Sequence, residues 1–169
     1  MALNKVECLS FLREQDVAFE YDEHDAVFTT AQAAQLSRQL PGSACKNLFL
    51  RNKKKSAYFL LVAPADKKTD ISALSELLGE GRLSFGSEAD MSELLGVTPG
   101  SVTPLALLND TGERVRFLMD ADLHSASHIV VHPLVNTASL SLAVANLVSV
   151  LGKKGHPVSV LDLKEARSD

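Results

Sequence analysis

"GSACKNLFLRNKKKSAYFLLVAPADKK", Gly42 to Lys68, is the stretch that decides the fold. Two apolar runs, "CKNLFLRN" and "SAYFLLVAP", read as strands. The polar "RNKKKS" between them reads as a hairpin turn, which puts a β-sheet at the centre of the molecule. The same stretch gathers Arg51, Lys53, Lys54 and Lys55 in a chain whose net charge is -4. A solvated turn is the simplest account of the lysine triplet. Lys46 is different, because it stands at the mouth of the first apolar run.

Working outward, Leu3, Val6, Leu9 and Leu12 recur at helical spacing and predict an N-terminal amphipathic helix. "VAFEYDEH" alternates like a short strand, and "TTAQAAQLSRQLPG" predicts a helix from Thr29 or Thr30 that stops before Pro41. After the hairpin, "DISALSELLGEG" reads as a helix with Asp70 as N-cap and Gly79 near its end. "RLSF" is a short strand, and "SEADMSELLG" a capped helix from Ser87 to Gly96. "TPLALLND" and "RVRFLMD" read as strands joined through the turn sequence "NDTGE". "SHIVVHP" is a strand ending at Pro133, "SLAVANLVSVLGKKG" an apolar helix, and "HPVSVLDL" a terminal extended segment. This mixed order predicts an α+β (mixed α/β) fold in one domain, residues 1–169, rather than a doubly wound sheet.

Composition sets the outer limits. A chain of 169 residues, 46% hydrophobic, buries roughly 70% of its unfolded surface and needs no disulfide or metal for stability. Cys8 and Cys45 have no framework or metal-ligand spacing, which fits a reducing cytoplasm. The N-terminal "MALNKVECLSFLREQ" is charged throughout, unlike a signal peptide. No apolar run approaches the ~20 residues that span a bilayer. The acidic balance argues against a general nucleic-acid coat, while leaving room for a local basic patch that holds one RNA end.

Three constellations bear chemistry. Lys46-Asn47 opens a predicted strand, where an ammonium suits a phosphate or a ribose hydroxyl. On spacing alone a snorkelling edge lysine is the stronger reading. "GVTPGSVTP", Gly96 to Pro104, is too rich in Gly and Pro for helix or inner strand. Gly100 lets backbone approach a ligand there, and exposed N–H groups can hold an oxyanion; a stiff connector is the plain alternative. "HSASHIVVHP" carries His124, His128 and His132, but an extended "HIVVH" cannot put all three on one helical face, and no His-Glu-x-x-His pattern is present. His132 ends a buried strand and is well placed to line a pocket. No Ser-His-Asp or Cys-His set emerges from spacing, and Cys45 reads as a small buried filler.

Together "KNLFLRN", "YFLLVAPADKKTDISALSELLG", "GRLSFGSEADMSELLGVTPGSVTPLALLND" and "VVHPLVNTASLSL" resemble the YbaK/prolyl-tRNA-synthetase-associated editing family, most nearly its free-standing Ala-tRNA(Pro) deacylase branch. The likeness runs over nearly the whole chain, with Ser139 where Thr is more usual. It implies a compact domain with a mixed, barrel-like sheet flanked by helices, and one pocket for the aminoacyl-adenosine end of tRNA. It implies Lys46 as the catalytic lysine. Asn47, Gly100, Ser101, Val102, Thr103, Pro104, Val131 and His132 are implied to line the substrate pocket. Arg51, Lys53, Lys54, Lys55, Lys67 and Lys68 are candidate contacts to tRNA phosphates. No metal or cofactor is expected, nor a DNA or membrane partner; prolyl-tRNA synthetase is a candidate protein partner. The implied activity is deacylation of mischarged Ala-tRNA(Pro) in the cytoplasm. Cys-tRNA(Pro) or another mischarged tRNA, or non-catalytic binding of tRNA or a synthetase, are the alternatives.

Overall fold

A computed structural model describes residues 2–26 and 40–163. In chain order it has α1 (Lys5–Glu14), β1 (Phe19–Glu23), β2 (Ser43–Asn52), β3 (Tyr58–Pro64), α2 (Ile71–Leu78) and β4 (Leu83–Phe85). Next come the short α3 (Glu88–Asp90), a π-helical turn (Met91–Leu95), a 3-10 helix (Pro104–Asn109), β5 (Val115–Asp120) and α4 (Ala121–His124). β6 (His128–Val131), β7 (Ala138–Ala143), α5 (Val144–Lys153) and β8 (Val158–Leu161) complete it. The helix expected between Thr29 and Pro41 lies largely outside the described residues.

The hairpin is the centre of the sheet. Eight strands join in the order β1-β7-β6-β2-β3-β5-β8, with β4 also on β2. β2 pairs antiparallel with β3 from Cys45↔Pro64 to Arg51↔Tyr58, and β3 pairs parallel with β5. Lys53, Lys54 and Lys55 form the exposed turn, with Lys55 at φ 56. β3 is buried on both faces, and this is why "YFLLVA" reads as an unbroken apolar run. Tyr58, Leu60 and Val62 join the larger core with α1 and α5, while Phe59, Leu61 and Ala63 join a second cluster with Leu74 of α2. Each buried leucine contributes about 1.5–3 kcal/mol.

Caps set the helix ends as their chemistry requires. Asn4 and Glu7 make a reciprocal capping box on α1, Asp70 accepts from Ala73 N, and Gly79 ends α2 at φ 70. Three expectations need correction. Val6 is 65% exposed, and the buried stripe of α1 is Cys8, Leu9 and Leu12. "TPLALLND" is a 3-10 helix instead of a strand: Thr103 caps it, Pro104 starts it, and Leu105, Ala106 and Leu107 are buried in succession without alternation. "SLAVANLVSVLGKKG" is not helical from its start, because Ser141 to Ala143 belong to β7, held between β1 and β6.

Candidate active site

β2 changes neighbours along one edge, and that change makes the site. Its first residues run parallel to β6, Ser43↔Ile129 and Ala44↔Val130. Its last residues run antiparallel to β4, Leu50↔Phe85 to Asn52↔Leu83. Between the two pairings the edge parts from β6. A cavity of ≈ 20 Å³ lies in the split, lined by Cys45 and Asn47 of β2, Val130, Val131 and His132 at the end of β6, and Ser139 of β7.

The polar groups here are arranged in a definite sense. Asn47 Oδ1 is buried and has no hydrogen-bond partner. Such an orphan acceptor costs about 1–3 kcal/mol while it stays unpaired. His132 Nδ1 lies 3.0 Å from the carbonyl of Ala138. A carbonyl only accepts, so Nδ1 carries the proton and Nε2 is the acceptor nitrogen. Burial, above all, holds the His132 pKa below the usual histidine range, and the nearby His24 acts in the same direction. The two rings meet edge to face with centroids 6.4 Å apart.

The Gly100–Pro104 loop is fastened to this site through backbone. Thr103 Oγ1 donates to the carbonyl of His132 at 2.7 Å, and Thr103 is fully buried. Gly100 has φ 89, a conformation that favours glycine, and Ser101 N closes a turn on the Thr98 carbonyl at 3.0 Å. Ser101 and Pro104 are buried and Val102 is half-buried. The loop therefore fixes where His132 sits, while the side chains of the small cavity come from the strands.

Alternation along paired strands sorts the faces. Ala44, Val130 and Ser141 stand opposite one another, so two residues on, Lys46, His132 and Ser139 share that face and Asn47 has the other. The Lys46 ammonium nevertheless leans toward β3 and β5, donating to the carbonyl of Lys67. Burial is the main influence on Lys46 and holds its pKa below the usual lysine range, against the pull of Asp120 and Asp66.

The other cations are distributed differently from one another. Arg51 Nη1 is 2.8 Å from Asp90 Oδ2. Lys67 Nζ is 2.9 Å from Asp120 Oδ2 and 3.1 Å from Asp122 Oδ2, and Asp120 is 1% exposed. Both are thus neutralised inside the protein. Lys68 is exposed near the start of β2, whereas the Lys53–Lys55 turn is at its far end, roughly 25 Å away at ~3.3 Å per residue. His124 and His128 are exposed, and among the described residues no three His, Cys, Asp or Glu side chains converge on a metal position. The Cys45 thiol donates to the Val130 carbonyl at 3.4 Å, and burial pushes its pKa up to about 12, so it is an inert filler.

Sequence reasoning missed His24 and gave Ser139 no role. His24 Nε2 lies 2.7 Å from Ser139 Oγ, and its Nδ1 2.7 Å from the carbonyl of Asp25. The alternation in "ASLSLA" was the available signal for β7, and β1 ends just before His24.

Residues 24–150 match the family described as the aminoacyl-tRNA editing domain. The chain is 36% identical over 154 residues to "Prolyl-tRNA synthetase associated domain-containing protein 1" of Xenopus laevis, covering 89% of this chain and 91% of that one. It is 32% identical over 152 residues to "Prolyl-tRNA editing protein ProX" of Acetoanaerobium sticklandii, covering 90% and 93%. A solved structure of a proposed trans-editing enzyme for prolyl tRNA synthetase superposes with a TM-score of 0.74 at 20% identity, covering 98% of this chain and all of that one, a likeness of fold.

Proposed function

The chain belongs to the aminoacyl-tRNA editing domain family, and from that premise we propose that it is a trans-editing hydrolase that deacylates mischarged Ala-tRNA(Pro) and spares Pro-tRNA(Pro). The observation that carries this reading is the likeness, over 90% of the chain, to a relative named for prolyl-tRNA editing. The bound partner is the acceptor end of tRNA(Pro); prolyl-tRNA synthetase is a second candidate partner.

The chemistry asked of the site is modest. Water adds to the ester carbonyl, the bond from that carbon to the ribose oxygen breaks, and the ribose oxygen leaves with a proton. Holding the ester and the water in place supplies much of the needed acceleration, so no covalent nucleophile is required. In this reading Lys46 leaves the Lys67 carbonyl and donates to a ribose or phosphate oxygen of the terminal nucleotide. Asn47 and His132 flank the aminoacyl group, and the Gly100–Pro104 loop supports His132 from behind through Thr103. A cavity of ≈ 20 Å³ supports selection for a small side chain, since it holds roughly one water-sized group. The three ring methylenes of proline exceed it, and Val131 and His132 form the excluding wall, with the Gly100–Pro104 loop holding His132 in place.

The test is a deacylation panel with tRNA(Pro) charged with Ala, Cys, Ser or Pro. Alanyl ester should be cleared well above its spontaneous rate and prolyl ester left intact. Preference for the cysteinyl ester would reassign the substrate, and spontaneous rates throughout would make the protein a binding module.

A further inference from the structure

We propose that His24 is a positioning residue: it turns the Ser139 hydroxyl so that Ser139 Oγ, on the face it shares with His132, accepts the α-ammonium of the aminoacyl group. The inference rests on the aminoacyl-ester reading above and names the part of the substrate that this oxygen recognises.

The direction of each proton follows from its partners. The Asp25 carbonyl can only accept, so His24 Nδ1 bears a hydrogen and donates across 2.7 Å. In the neutral ring Nε2 is then a bare acceptor. Ser139 Oγ, 2.7 Å away, must give its single proton to Nε2. That leaves the Ser139 oxygen with lone pairs and no hydrogen for any other partner. Ser139 is 5% exposed and lines the cavity with His132, whose face of the sheet it shares. His132 repeats the pattern, with its Nδ1 proton spent on the Ala138 carbonyl.

The site is thus rich in acceptors whose own protons point away. A hydroxyl offers such acceptors one donor and a neutral carbonyl none, whereas a primary ammonium offers three. Hydrogen bonds to a charged group are also the stronger kind. Alanine presents such an ammonium. Proline, a secondary amine, offers one donor fewer and holds its nitrogen in a ring, so the same site adds a chemical preference to the steric one. Of the groups around His24, the facing strand contributes Ser139 and the β6 end contributes the His132 ring.

The experiment compares binding of two non-hydrolysable probes, 3′-alanylamido-3′-deoxyadenosine and its 3′-lactylamido counterpart, in which a hydroxyl replaces the ammonium. The wild-type protein should prefer the alanyl probe by about tenfold or more. Ser139→Ala should lose most of that preference, and so should His24→Ala. His24→Gln, whose amide oxygen can accept the Ser139 proton, should keep it. Binding is measured by calorimetry alongside the folded baseline of each variant, so a merely structural role would weaken both probes equally and leave their ratio unchanged. If His24→Ala fails to fold, Ser139→Ala and His24→Gln still decide the matter. An unchanged alanyl-to-lactyl ratio in Ser139→Ala, or a wild-type ratio near one, overturns the proposal. Because no turnover is needed, failure here is distinct from failure of the deacylase reading, which the charged-tRNA panel measures.

Discussion

Replacing Val131 by alanine separates stability from selectivity at the cavity wall. Val131 is 3% exposed, packs within the larger core and lines the cavity at the end of β6. Removing two carbons forfeits ~1.6 kcal/mol of transfer free energy at ~0.8 per methylene. A residual void adds to this, for a total of about 2–3 kcal/mol. In a domain of this size that lowers Tm by about 4–12 °C. The space gained opens on the aminoacyl site, where one methylene is worth ~1–3 kcal/mol in selectivity. The rate ratio of 2-aminobutyryl to alanyl ester on tRNA(Pro) should therefore rise about tenfold or more, with some loss on alanine itself. Val150→Ala is the control, since Val150 is buried in the same core but does not line the cavity. It should lose similar stability and leave the ratio alone. The assays are thermal unfolding and deacylation of an Ala, Ser and 2-aminobutyrate series. If Tm falls in both variants while the ratio moves in neither, steric exclusion at Val131 is wrong.

Lys46→Ala should lower kcat/KM on the alanyl ester at least about tenfold, the loss of a charge-assisted bond, whereas Lys54→Ala in the exposed turn should alter chiefly the salt dependence; equal losses would make Lys46 part of the basic surface. Asp120→Asn removes a carboxylate that holds the Lys46 charge in place, so Lys46 should deprotonate at lower pH and the alkaline limb of the rate profile should move down; an unmoved limb would separate Lys46 titration from activity. His132 has a folded pKa below its unfolded value of about 6.5, so as pH falls through 6.5 the unfolded chain takes the proton first. Stability should thus decline on acidification from neutral pH until the folded pKa is passed, and His132→Asn should flatten that slope in denaturant titrations.

How much of this was legible depended on distance along the chain. The β2–β3 hairpin, the Asp70 and Ser87 caps and the Gly79 and Gly96 stops are local, and the sequence alone indicates them. "PLALLN" is short, apolar and buried throughout, and periodicity cannot separate a strand from a helical turn in such a run. Thr103, which caps that turn, is tied in addition to the His132 carbonyl, 29 residues away. The cavity is less local again. It exists because β2 leaves β6 for β4, and its Ser139–His24 contact joins residues 115 apart. His24 could not be singled out by spacing, and Lys46 could not be told from an edge lysine.

The cations of the hairpin stretch become distinguishable once their partners are known. Moving Lys67 or Arg51 onto a phosphate would strip a carboxylate of its charge partner. For Asp120, which is 1% exposed, that cost is severe, because breaking a buried pair costs ~3–5 kcal/mol. The turn lysines lose nothing by meeting a phosphate, but their full solvation makes the gain small and strongly screened by salt. Lys46 stands between these limits. Its ammonium is partly desolvated already, and its hydrogen-bond partner is a neutral carbonyl. Exchanging that carbonyl for an anionic oxygen strands no buried charge and replaces a bond to a neutral acceptor by one between ions. The acidic protein thus keeps, among its clustered cations, a lysine whose release is inexpensive and whose new partner would be bound more strongly than the old.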